Sequence, residues 1–234
     1  MCTRLPLLLA LLAAASPVGA ETRNFGINTF EKIRVDGPFK VTLTTGVAPY
    51  AKAVGSAQAV DRVAIDVRDN MIIVHTNVSS WSSDPNPNAG PVDIQIGTHD
   101  LSSAWLSGSG SLSINKVKGL SFDFSVQGSG LGEIGNVTVD QLNINLAGTA
   151  NARLAGEAGK TTSVVRGISN LEAGRLTVKD AVITADGSAT VDQTVTNSVK
   201  VTAAGPATVR LNGNPSCSLH ASGSTTITGC KSTQ

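Results

Sequence analysis

Aromatic residues are scarce in this sequence: five Phe, two Trp and one Tyr make up 3% of 234 residues. So few rings leave little to stack sugars or bases on, and they exclude the aromatic girdles of a membrane barrel. An excess of charge of one sign is also missing. Eighteen Lys and Arg stand against 17 Asp and Glu, a formal net charge of +1, which excludes a dominant polyanionic partner such as nucleic acid. Histidine and cysteine number three each, too few for an array of metal sites. What is present is a chain 41% hydrophobic and 15% charged, able to build a real core in one or two domains and unlike a disordered or coiled segment.

The one concentrated apolar run lies at the start. Arg4, the stretch Leu5 to Ala15, and the small residues Val18, Gly19 and Ala20 have the layout of a secretory signal, which predicts export and cleavage before Glu21. The run is shorter than the roughly 20 residues a spanning helix needs, and nothing downstream reaches that length, so no transmembrane segment is expected after signal removal. Cys2 lies at the wrong end of the leader to carry a lipid and leaves with it. The mature chain then holds 17 basic and 17 acidic residues, and capture of nucleic acid or anionic lipid by charge is not expected. Two cysteines remain, Cys217 and Cys230, and an even pair in an oxidising compartment predicts a disulfide clamping the C-terminal end.

The second half is periodic. WLSGSGSLSI, SVQGSGLGEI and NLAGTANARL repeat one phrase, and looser copies follow, with reference glycines at Gly108, Gly128, Gly148, Gly167, Gly187, Gly205 and Gly223 spaced by 20, 20, 19, 20, 18 and 18 residues. Such a period points to a stacked architecture. Within each period apolar residues alternate, as in Leu142, Ile144 and Leu146 or Val199 and Val201, which is the signal of half-buried strands. The Leu and Asn frame of a leucine-rich repeat is absent. The expected fold is therefore all-β, a parallel β-helix (solenoid) with glycine at its sharp corners. Seven such coils at about 4.8 Å per rung would span roughly 30 Å.

Residues 21–100 read differently. Strands are expected over Phe30 to Val35, Phe39 to Thr44, Tyr50 to Val54, Val63 to Val67, Met71 to His75 and Val92 to Ile96, with a helical turn over Ala57 to Asp61. The organisation expected is a signal peptide over residues 1–20 and one β-helix domain over 21–234. Its N-terminal β cap region and opening coils occupy 21–100, and the glycine-marked coils 101–234.

The runs FEKIRVDGPFKVTLTTG, VAIDVRDNMIIVHT, LSGSGSLSI, VQGSGLGEI, LAGTANARL and LNGNPSCSLHASGSTTI together resemble the putative autotransporter adhesin head domain (GIN domain) family of exported bacterial proteins. The resemblance covers nearly all of the mature chain. It implies a right-handed β-helix outside the cytoplasm with a role at the cell surface, and it carries over no catalytic or ligand residue. A translocating barrel needs at least about eight strands of 9 to 11 residues, and a solenoid of this length leaves no room for one.

A search for chemistry returns little. GSGLG at Gly128 has glycine where a nucleophile elbow requires serine. His75, His99 and His220 are scattered and lack zinc-ligand spacing, which reads as exposed strand or turn histidine. The Gly-x-Gly phrases precede strands, so no helix N-terminus is available for phosphate. Asp123, Asp140, Asp180, Asp186 and Asp192 share no repeat offset, and Asp186 reads as a turn residue before Gly187. Asp84, Asn86, Asn88 and Asp93 offer oxygen ligands at alternate positions, as a calcium loop does, but Ala89 and Gln95 stand where that loop needs Gly and Glu. A Pro- and Asn-rich surface loop is the plainer reading, and no cofactor is expected. Trp81, in the polar stretch SSWSSD, is either a ligand contact that stacks on a sugar or partner or a lid over an open end of the core; Trp105, on a strand, is expected to be a packing residue.

These readings converge on an exported, non-enzymatic β-helix protein that binds an envelope or surface macromolecule or a glycan. The alternatives are a polysaccharide-active enzyme on the same scaffold and a periplasmic structural protein with no external ligand.

Overall fold

The computed structural model describes residues 20–77 and 90–231. The leader, Trp81, Asp84, Asn86 and Asn88 lie outside the described residues. Sixteen strands and one short helix follow in the order β1 (Glu21–Phe25), β2 (Lys32–Asp36), β3 (Lys40–Thr45), β4 (Tyr50–Gly55), α1 (Ala57–Asp61), β5 (Val63–Arg68), β6 (Met71–Thr76), β7 (Val92–Thr98), β8 (Ser103–Gly108), β9 (Ser111–Gly128), β10 (Leu131–Gly148), β11 (Asn151–Gly167), β12 (Asn170–Gly187), β13 (Thr190–Ala204), β14 (Thr208–Asn212), β15 (Ser216–Ser222) and β16 (Thr226–Thr228). Helix α1 starts where the Ser56 side chain accepts the Ala59 N–H at 3.2 Å, an ordinary N-cap.

From β8 onward all pairing is parallel, and the chain winds a β-solenoid of about six turns. Each coil is one long bent strand. In β10, three stretches (131–134, 136–139 and 141–148) pair with β9, and Gly135 and Asp140 fall unpaired at the bends. The reference glycines stack at one corner, each with positive φ, and the column begins earlier than the sequence period indicated, at Gly37. The last period closes on the three-residue β16, so Gly223 marks a corner and not a further full coil.

Rung order departs from chain order at the N-terminal end. β3 lies between β7 and β9, and β2 between β6 and β8, while β1, β4 and β5 add antiparallel strands beyond them. The strands that come first in the parallel stack, β2 and β3, are thus interior to it, covered by β6 and β7.

Alternation explains the core. Leu142, Ile144 and Leu146 face inward and stack on Phe122, Phe124 and Val126 of the preceding coil. Gly132 makes room for the Phe124 ring: a Cβ there would lie 2.4 Å from Phe124 Cζ. Among the buried polar side chains, Thr161 and Gln193 meet in the interior. Gln193 Nε2 donates to Thr161 Oγ1 at 2.7 Å with both residues fully buried, and Gln193 Oε1 has no partner among the described residues.

An unpartnered buried polar atom costs more than a made hydrogen bond gains. Thr161→Val strands the Gln193 amide and is expected to destabilise the protein by about 1–3 kcal/mol, whereas the double variant Thr161→Val/Gln193→Leu is expected to recover most of that loss. Urea unfolding of the two proteins checks the difference.

Candidate functional site

Three of the five aspartates considered for an enzymatic role, Asp123, Asp180 and Asp192, are tied up between coils. Asn143 Nδ2 donates to Asp123 Oδ1, Asn197 Nδ2 to Asp180 Oδ1 and Asn212 Nδ2 to Asp192 Oδ1, each at 2.8 Å. Ser198 Oγ also donates to Asp180, and these bonds, Ser198 first and then Asn197, hold the Asp180 carboxyl below its ordinary range. A carboxylate clasped in its ionised form by the next coil is a structural fastener and a poor general acid. On the same principle, Arg153 sits in register between Glu133 and Glu172, at 3.1 and 3.0 Å, and is held protonated by them. The roughly 20-residue offsets of that triad were present in the sequence.

Asp93, the last member of the calcium pattern, lies on β7 and pairs with Lys40 Nζ at 2.8 Å. Among the described residues no group of three metal-ligating side chains occurs. Cys217 and Cys230 form the expected disulfide, Cys217 standing in register with the core residue Val199.

Trp105 does not pack inward. Its strand neighbours Ala104 and Leu106 are fully buried, so alternation turns the indole outward, where it is half-buried and walls a cleft of about 290 Å³. Two columns of side chains frame this cleft on three consecutive rungs. Arg34, Trp105 and Ser125 make one column, and Asp36, Ser107 and Gln127 the other. Arg34 Nε donates to both carboxylate oxygens of Asp36, at 3.0 and 2.8 Å. Met71 closes one side. Ser125 is 6% exposed, and its hydroxyl has no partner among the described residues. A wider trough of about 630 Å³ over the C-terminal coils is lined by Lys160, Asp180, Ser198 and Lys200 and contains no aromatic ring.

His75, beside this region, is not an isolated strand histidine. Its Nε2 is 3.0 Å from Asp66 Oδ2 and its Nδ1 3.1 Å from the Thr76 carbonyl. The Asp66 bond raises the histidine above its ordinary value, with the Thr76 carbonyl and the Asp36 charge adding to it. Asp66 is correspondingly lowered, by the His75 bond first and by Arg68. The histidine's contribution to stability is present below its unperturbed value of 6.5 and is lost as pH rises through the raised one. The aspartate's is present above 3.8 and is lost as pH falls through the lowered one. His75 is therefore expected to titrate above 6.5, and Asp66→Asn to bring its midpoint down; a proton NMR titration of the imidazole resonances reads both.

Comparison with known proteins follows this geometry. The family profile described as putative auto-transporter adhesin, head GIN domain, matches residues 29–215. The chain belongs to this family. Solved structures share the fold of this GIN domain. A putative adhesin from Bacteroides fragilis superposes with a TM-score of 0.80 at 21% identity, covering 89% of this chain and 96% of its own. A putative lipid binding protein from Parabacteroides distasonis gives 0.71 at 20%, covering 90% and 96%. A putative adhesin from Parabacteroides merdae gives 0.65 at 19%, covering 89% and 95%. At these identities the likeness concerns the fold alone. No functionally curated protein matches the sequence. Among the described residues no helix is long and apolar enough to cross a membrane.

Proposed function

We propose that this GIN domain is an exported, non-enzymatic binding module that acts at the cell surface, presenting the outward side chains of its solenoid to a macromolecule or glycan of the envelope. One observation carries the reading: Asp123, Asp180 and Asp192 are fastened between coils, whereas Trp105 is turned outward into a cleft with polar groups on its rim. Large amphipathic rings at a surface serve recognition more often than packing. The leader layout and a disulfide, which forms outside the reducing cytosol, support export.

The polysaccharide-enzyme alternative needs an acid and a base free to exchange protons. Asp123, Asp180 and Asp192 are engaged by amides and hydroxyls of the adjoining coil and do not meet that need. The name of the Parabacteroides distasonis neighbour raises lipid as a ligand. Here the interior is filled by Val, Leu, Ile, Phe and Ala from successive coils, which leaves an acyl chain no hollow core to enter.

The test is to add purified mature protein to envelope preparations from cells that lack it. Saturable binding without release of sugar fragments is the expected result. Fragment release identifies an enzyme, and absence of binding identifies a structural protein without an external ligand.

A further inference from the structure

Resting on that reading, the geometry points to the Trp105 cleft as a site for one neutral pyranose unit of a glycan, with the indole stacked on the sugar's C–H face and Arg34, Ser107 and Gln127 bonding its hydroxyls. A pyranose has one feature that few other ligands share: an apolar ring face bounded by a rim of hydroxyls that both donate and accept. The cleft has the complementary plan. Trp105 and Met71 supply an apolar wall, and Ser107, Gln127 and Arg34 supply polar groups around it.

The polar groups are pre-positioned. Bonding through Nε to Asp36 fixes the guanidinium plane and leaves its terminal N–H groups without a partner among the described residues. A donor fork held beside a carboxylate acceptor matches vicinal hydroxyls. Ser125 lines the floor of the cleft; it is nine-tenths buried, and its hydroxyl, like those of Ser103 and Ser163, makes no hydrogen bond among the described residues.

Charge and size narrow the class. Arg34 and Asp36 neutralise each other, so the rim favours a neutral hexose or N-acetylhexosamine over a uronic acid. At about 290 Å³ the cleft is at the small end of ligand sites, which run from about 300 to 1,000 Å³. It suits one ring of a longer chain and is too small for an acyl tail. A single stacked ring gives weak affinity, with a Kd on the order of 1 mM for a disaccharide. Binding of a whole glycan then depends on many copies of the protein, or many sugars, acting together.

The experiment uses the mature full chain with a panel of neutral hexose and N-acetylhexosamine disaccharides, their uronic-acid counterparts, and phosphatidylethanolamine/phosphatidylglycerol vesicles. The readouts are the indole N–H resonance of Trp105, assigned by its disappearance in Trp105→Phe, and, for wild type and variants alike, the shifts of backbone amide resonances on titration. A neutral disaccharide is expected to shift that resonance saturably, to bind about tenfold more weakly to Trp105→Ala, and to retain most of its affinity for Trp105→Phe.

No shift with any neutral sugar, equal binding by Trp105→Ala, preference for the uronic acids, or a response to vesicles alone overturns the proposal. Its failure is separable from failure of the wider reading. If envelope preparations still bind wild type and Trp105→Ala equally, the module stands and the cleft does not. If wild type binds no envelope at all, the wider reading falls as well.

Discussion

Gly167→Ala is expected to lower stability by about 3 kcal/mol, although it adds a single methyl group. Gly167 has a φ of +83°, a region costly for any residue with a Cβ. The added Cβ would also lie 2.5 Å from the carbonyl oxygen of Gly148, one coil earlier. That oxygen is held in place: it accepts the Ile168 N–H at 2.8 Å. Moving aside therefore means breaking a bond that joins the two coils, at about 0.5–1.5 kcal/mol. Gly26 is the control, since a Cβ there meets nothing within 4 Å, and Gly26→Ala is expected to stay within about 0.5 kcal/mol of wild type. Thermal unfolding followed by circular dichroism compares them. A Gly167→Ala protein as stable as Gly26→Ala contradicts the stacked-corner account.

Removing the disulfide is the second large effect, and it should be local. Cys217 and Cys230 are 13 residues apart, and closing a loop of that size stabilises by about 3 kcal/mol on the chain-entropy account. The bridge joins the start of β15 to the segment after β16, which no further coil covers among the described residues. Leu219 shows the consequence: it continues the inward row of Val201 yet is 49% exposed. Because coils contact only their neighbours, loss at one end does not spread far. In Cys217→Ala/Cys230→Ala, amide exchange is expected to accelerate across β15 and β16 while β9 to β12 keep their protection. Uniform loss of protection over all coils would show that the molecule unfolds as one unit and that the bridge is more than an end clamp.

Much of this architecture was readable from the sequence, because a solenoid writes its fold as a period. The glycines from Gly108 to Gly223 recur once per coil, and alternation such as Leu142, Ile144, Leu146 identifies the strands and their inward face. Gly37 escaped that reading for a physical reason. It stacks beneath Gly108, whose Cβ would lie 3.2 Å from the Gly37 carbonyl oxygen, but the segment carrying β4 to β7 intervenes in the chain. Adjacency in the stack does not require adjacency in sequence. The same insertion hides the rung order of the N-terminal strands.

The candidate site was legible in one respect that was passed over. With Ala104 and Leu106 facing the core, alternation alone turns Trp105 outward. The column Arg34–Trp105–Ser125 was not legible, since it depends on β2 lying beside β8. Nor was the His75–Asp66 contact, which arises from the antiparallel pairing of β5 with β6.

Protease treatment of intact cells that make the protein, set beside lysed cells and a known periplasmic marker, tests the central claim most directly. A surface-binding module is expected to be cleaved on intact cells while the marker survives. Protection of both until lysis would confine the protein to the periplasm and contradict a role at the cell surface.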